Sequence, residues 1–204
     1  MFGKLAADVL GISDIGRIVM PEDYNKTDSD DYVFSEENEK IYFLIKSKTD
    51  EYCFTNRALI HLDGTSAMSK KRLLRRSPYY THRVHHVHLE TAGTIDLDVE
   101  IKFHLGDREY SIDVDKKQIE LLKDLYKALL KIAEIQHDNA HALELSYKGL
   151  DSAIGAMGRV TRTDNQMADQ LRSLNEYTFG YLHSQHEKYT RKDFGEVYEK
   201  FINT

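Results

Sequence analysis

"TIDLDVEIKFHL", residues 94–105, alternates with a period of two. Ile95, Leu97, Val99, Ile101, Phe103 and Leu105 fall on one side, and Thr94, Asp96, Asp98, Glu100, Lys102 and His104 on the other. Successive strand residues point to opposite faces, so the pattern predicts a strand with one buried face and one wet face. Asp96, Asp98 and Glu100 thereby read as the wet face and not as a carboxylate cluster. Gly106-Asp107 supplies a turn into "REYSIDVD", where Tyr110, Ile112 and Val114 continue the inward face. Such alternation belongs to an antiparallel sheet curling over a single core.

The period then changes abruptly. "DKKQIELLKDLYKALLKIAEI", residues 115–135, sets Ile119, Leu122, Leu125, Tyr126, Leu129, Ile132 and Ala133 along one helical stripe, with Asp115 as N-cap. Upstream, "EKIYFLIKSK" alternates Ile41, Phe43 and Ile45 against Tyr42, Leu44 and Lys46. "DEYCFTN" and "RALIHLDG" follow as strands meeting near Thr55-Asn56, and Asp63-Gly64 suits a hairpin turn. With further strands expected around 32–35, 69–76 and 83–90, the count is about seven or eight. The fold class is therefore α+β: a curved antiparallel sheet or barrel whose open end one helix closes.

Both flanks read as helical. "MFGKLAADVLG", residues 1–11, predicts a short amphipathic helix that caps the sheet; Lys4 against Asp8 fits an anionic membrane surface poorly. Beyond residue 136 the apolar spacing stays near 3.6, through Met167, Leu171 and Leu174 and again through Phe194, Val197, Tyr198 and Phe201. Gly149, Gly155 and Gly158 punctuate the join. Two domains are expected: residues 1–135 and an all-α extension over 136–204. Two or three helices bury little surface alone, so the aromatics of the tail need the sheet or a second copy to cover them.

The chain of 204 residues carries a net charge of −6, which disfavours nucleic acid or an anionic membrane as a partner of the whole protein. Charge is uneven, because Gly64 to Leu89 holds six cations and no acid. Cys53 is the single cysteine, so a cysteine zinc cage and an intrachain disulfide are both excluded. The first residues lack the pattern of a secretory signal, and no apolar run nears the ~20 residues of a membrane span. A cytoplasmic location is the resulting expectation.

"MFGKLAADVLG", "EKIYFLIKSKTDEYCFTNRALIHLDGTSAMSKKRLLRR", "ETAGTIDLDVEIKF" and "IDVDKKQIELLKDLYKALLKI" resemble the bacterial pleckstrin-homology-like (PH-like) family over residues 1 to about 135. The remainder resembles the YvbH-like oligomerisation region that follows this domain in some members. The resemblance implies a seven-stranded curved sheet capped by a helix, assembly into ring-like homo-oligomers, and no established catalytic activity. In eukaryotic relatives phosphoinositides are held by cations around the first hairpin. Here "SKTDEY" places Asp50 and Glu51 beside Lys46 and Lys48, so that role does not carry over.

Three constellations remain. Lys70, Arg72 and Arg76 share strand parity, and with Arg75 they are the candidates for docking an anion or partner. Basic residues on an edge strand also oppose aggregation, and they could pair with Asp96, Asp98 and Glu100 of a neighbouring copy. His86 and His88 share a face and His85 opposes them, while His137 and His141 lie one helical turn apart, as do His183 and His186 in similar fashion. Each pair offers two metal ligands and lacks a third. No nucleophile elbow or glycine-rich phosphate loop is present, and Cys53 sits among apolar neighbours.

The expected function is a non-enzymatic, oligomeric PH-like scaffold or adaptor with a repeated protein-docking surface and no cofactor. Self-association is assigned to Met167, Leu171, Leu174, Phe179, Phe194, Tyr198 and Phe201. Peripheral binding of anionic lipid or phosphate through residues 70–76, and metal binding at a histidine pair, are the alternatives.

Overall fold

The structure, a computed structural model, describes residues 14–64, 72–91, 98–157 and 167–202. The expected N-terminal helix, Lys70, Ile95, Leu97 and Asp96 lie outside the described residues. The chain divides into two compact units, one formed by residues 1–133 with 192–204 and the other by 134–191. The last segment, assigned on sequence to the helical tail, thus belongs with the sheets.

Eight strands are described: β1 (Arg17–Val19), β2 (Ile41–Lys46), β3 (Glu51–Thr55), β4 (Ala58–Gly64), β5 (Arg72–Pro78), β6 (Val84–Glu90), β7 (Asp98–Leu105) and β8 (Arg108–Asp115). They form a five-stranded sheet in the order β1-β2-β3-β4-β5 and a three-stranded sheet β6-β7-β8, all ladders antiparallel. Among the described residues one parallel bridge joins the two, where the Gly16 amide donates to the Asp113 carbonyl (2.8 Å) and the Asp115 amide to the Gly16 carbonyl (3.0 Å). The sheet is curved and does not close into a barrel. At Gly16 a Cβ would stand 2.7 Å from the Ile45 side chain, so the junction requires glycine.

Val99, Ile101, Phe103, Leu105, Tyr110, Ile112 and Val114 are buried, the inward face that the alternation predicts, and Val84 and Val87 of β6 are buried with them. Phe43, Ile45, Phe54 and Leu59 bring the five-stranded sheet to the same interior, where Phe54 meets Phe103 at 6.0 Å between ring centroids. Helix α1 (Ile119–Met157) contributes Leu122, Leu125, Ala128, Leu129 and Ile132, all fully buried. Asp115 caps the 3-10 turn that leads into it, accepting from the Lys117 amide. Gln118 holds edge strand β1, with Oε1 accepting from the Ile18 amide (2.8 Å) and Nε2 donating to the Ile18 carbonyl (3.0 Å).

The sheet departs from expectation on its other face. Leu44, Cys53, Ile60 and Leu62 form a second buried cluster, covered by Val19, Tyr24, Val33 and Ile41. Residues 21–37, including the expected strand at 32–35, are instead three short 3-10 helices lying over this cluster. A sheet buried on both faces explains why β2 to β4 read as near-continuous apolar runs. Asp63-Gly64 is also no turn: both residues pair with β5, Asp63 with Leu73 and Gly64 with Arg72. Glycine is needed at 64 because a Cβ would lie 2.4 Å from the Thr49 carbonyl oxygen.

Helix α3 (Gly195–Ile202) packs with the sheets. The Phe194 amide donates to the Asn56 carbonyl (2.8 Å), and Asn56 Nδ2 donates to Asp193 (2.6 Å). Phe194 and Tyr198 are fully buried, with Tyr198 stacked on Tyr42 and Phe194 edge-on to Tyr79. Within the second unit, the distal half of α1 and helix α2 (Met167–Tyr189) share a hydrogen bond from Ser146 to Gln185 (3.3 Å). No helix among the described residues is long and apolar enough to cross a membrane.

Candidate functional site

The arginines of β5 are engaged by acids of their own domain. Arg76 Nη2 donates to both oxygens of the buried Glu39 (2.8 and 2.9 Å), and its guanidinium lies 4.3 Å from the Phe34 ring centroid. Glu39 also accepts from Thr55 Oγ1 and the Phe34 amide, so this pair ties the 3-10 segment to the sheet. Arg72 pairs with Asp28 (2.9 Å) and approaches the buried Glu51 (3.6 Å), while Arg75 pairs with Asp63. Arg72 and Arg76 thus share strand parity, and both guanidiniums are paired within the domain. Burial raises the Glu51 carboxyl, but hydrogen bonds from Lys46 and the Ser29 amide outweigh it and hold the group below the ordinary value.

The oligomerisation residues separate into two groups. Phe194 and Tyr198 are core residues of the sheet unit and offer no surface; Phe201 is half-buried beside them. Their apolar spacing was legible, but a stripe facing a sheet and a stripe facing a second copy look alike in sequence. Leu171 and Phe179 stay 62% and 72% exposed on α2, with Tyr177, absent from the sequence-based set, at 66%. Leu174 is half-buried, and the Met167 side chain lies outside the described residues.

The histidines are arranged by an irregularity that strict alternation hides. His85 pairs with His104 and His88 with Lys102, so three steps on β6 span two on β7: a β-bulge. His86, inside the bulge, has φ of 50°, and both it and His85 turn away from the core, whose neighbours Val84 and Val87 are buried. The expectation that His85 opposes His86 is therefore corrected. One nitrogen each of His85, His86 and His104 lies within 4.8 Å of the others. His88 stays on the outer face beyond this trio. On the second unit, His137 and His141 are exposed on α1, and His183 faces Glu187 at 3.5 Å.

A small polar notch of about 180 Å³ opens at the sheet junction, lined in part by Asp14, Asp50 and Tyr52. Its acids have partners: Asp14 accepts from the Lys48 amide (3.0 Å) and Asp50 pairs with His61 (2.9 Å). The Cys53 thiol is buried, and burial, the leading cause, pushes it up to about 12. That suits an inert packing residue.

Sheets of this order, with the helix that follows β8, define a PH-like fold, and the chain belongs to the bacterial PH domain family, whose model matches residues 9–133. The YvbH-like oligomerisation region matches residues 144–204. The chain is 54% identical over 203 residues, the full length of both, to the uncharacterized protein YvbH of Bacillus subtilis strain 168. It is also similar to the crystal structure of a PH-domain-containing protein from Exiguobacterium sibiricum 255-15. That likeness has a TM-score of 0.85 at 52% identity and covers 93% of this chain and 100% of that one.

Proposed function

We propose that this protein is a non-enzymatic scaffold, assembled through the helical unit 134–191 and presenting its PH-like domain in several copies. The carrying observation is the apolar surface of that unit: Leu171, Tyr177 and Phe179 on α2, with Leu145 and Tyr147 on α1, are exposed in a single chain. A two-helix unit of this size buries too little to cover them itself, and a second copy supplies a matching apolar face. The match to an oligomerisation region supports the same reading. Repetition of the domain then turns weak contacts into avidity.

The docking surface for a protein partner lies along β5, which ends the five-stranded sheet. Leu73 and Leu74 are exposed there, so an extended segment of a partner finds main-chain hydrogen bonds and apolar contacts together. Light scattering tests the assembly: the intact chain is expected at a multiple of 23.7 kDa, and Leu171→Glu with Phe179→Glu at the monomer mass. A monomeric parent protein overturns the proposal.

A further inference from the structure

We propose that His85, His86 and His104 form a binding site for a divalent transition metal of the zinc, copper or nickel class. Imidazole nitrogen is a favoured ligand for all three ions, and three protein ligands with one open position is a recurrent zinc arrangement.

Three independent features of the trio point to a ligand. The first is the bulge. A regular β6 would send His85 and His86 to opposite faces; the extra residue puts both on the outer face, at the cost of a left-handed backbone at His86, φ 50°. A non-glycine residue held there is strained, and bulges commonly re-aim a side chain.

The second is the tautomer of His85. Its Nε2 lies 3.0 Å from the Gly106 carbonyl oxygen, which only accepts, so Nε2 is the donor and in the neutral ring Nδ1 keeps the lone pair. A metal-ligating histidine characteristically donates its other ring N–H to such a carbonyl, which fixes both tautomer and ring direction. Gly106, at φ 61° in the β7–β8 turn, aims that carbonyl.

The third is His104. Its Nδ1 is buried and has no hydrogen-bond partner among the described residues. A buried nitrogen left unmatched is costly unless a further group meets it. The rings are already grouped: His85 and His104 stack at 5.0 Å with planes 15° apart, and His86 stands edge-on to both, at 4.8 and 5.2 Å. Zinc–nitrogen bonds of about 2.0–2.1 Å require the ligand nitrogens to close to roughly 3.3 Å. From a spacing within 4.8 Å, side-chain rotation supplies that movement without displacing a strand.

The site lies on the three-stranded sheet and does not depend on the assembly proposed above. Equilibrium dialysis of the tag-free full chain against zinc chloride, followed by elemental analysis, tests it. One zinc per chain is expected. His104→Gln and His86→Asn are each expected to weaken binding by at least about 100-fold, since even outer-shell partners of a metal site are worth about 10–100-fold. His86→Asn removes the imidazole at an exposed position with a residue that tolerates the left-handed backbone, so its fold is preserved. His137→Ala with His141→Ala is expected to leave the affinity unchanged. Absence of binding at micromolar zinc, or binding that persists in both His86→Asn and His104→Gln, overturns the proposal.

Discussion

The hydroxyl oxygens of Tyr79 and Tyr198 meet at 2.6 Å inside the sheet unit, 119 residues apart in sequence. Burial first, and then the neighbouring Tyr198 phenol, keep the Tyr79 phenol well above its ordinary value, and burial raises Tyr198 as well, so both groups remain protonated. Helix α3 is thereby fastened to the end of β5, and the C-terminus takes part in the stability of a domain that begins more than a hundred residues earlier.

The two hydroxyls act as a pair. Tyr198→Phe is expected to lower stability by about 1 kcal/mol, because it removes the buried hydrogen bond between the two hydroxyls. Tyr79→Phe with Tyr198→Phe should cost less than the sum of the single changes. Urea denaturation of the three variants checks this, and strict additivity would contradict the pairing. Phe194→Ala is expected to cost about 3–5 kcal/mol by emptying a fully buried ring site.

Surface and core aromatics of the C-terminal third should respond oppositely. Phe179→Glu with Leu171→Glu is expected to change the mass in light scattering while the melting temperature of the sheet unit stays. Phe194→Asp should unfold that unit by burying an unpaired charge. Circular dichroism beside light scattering separates the two effects.

Arg76 bears on the difference between a docking cation and a structural one. Arg76→Met leaves the buried Glu39 without its guanidinium, and is expected to cost about 3 kcal/mol of stability. A docking residue would lose a partner and keep its melting temperature, so thermal unfolding of the variant discriminates.

Acid acts through Glu51. Its folded carboxyl lies below the ordinary value of 4.5, so the unfolded chain takes up the proton first as pH falls. The contribution is fully present above about 4.5 and is lost as pH drops through the lowered folded value. The stability gap between the parent protein and Glu51→Gln should therefore shrink between pH 6 and pH 3, in roughly that window, when followed by denaturant titration. A gap that stays constant would mean the carboxylate is not what Lys46 and Ser29 stabilise.

Cys53 gives a check on the second core. With the thiol pushed up to about 12 by burial, thiol reagents at neutral pH should label it only at the rate of unfolding. Rapid labelling would show that the 3-10 segment fails to cover Leu44, Cys53 and Ile60.

Much of the fold was legible because alternation and helical stripes report burial directly. Val99, Ile101, Phe103 and Leu105 were placed inside from period alone, as were Leu122, Leu125, Leu129 and Ile132, and Asp115 was recognised as a cap. The 3-10 segment escaped because its covering residues, Tyr24 and Val33, are sparse and set among acids. Its signal lay elsewhere, in the outward Leu44, Cys53 and Ile60, which a sheet wet on one side would not carry. The histidine trio escaped for a sharper reason. Parity arguments assume an unbroken ladder, and one inserted residue reverses every assignment beyond it. His104 had been placed on the outer face by alternation, yet only the register opposite His85 makes it a neighbour.

The sheet unit owns both ends of the described chain, and the helical unit leaves and rejoins it, as an insertion does. A protease that nicks residues 134–191 would give two bands on a denaturing gel and a single species on a native column, because α3 stays clamped between Tyr42, Tyr79 and Asn56.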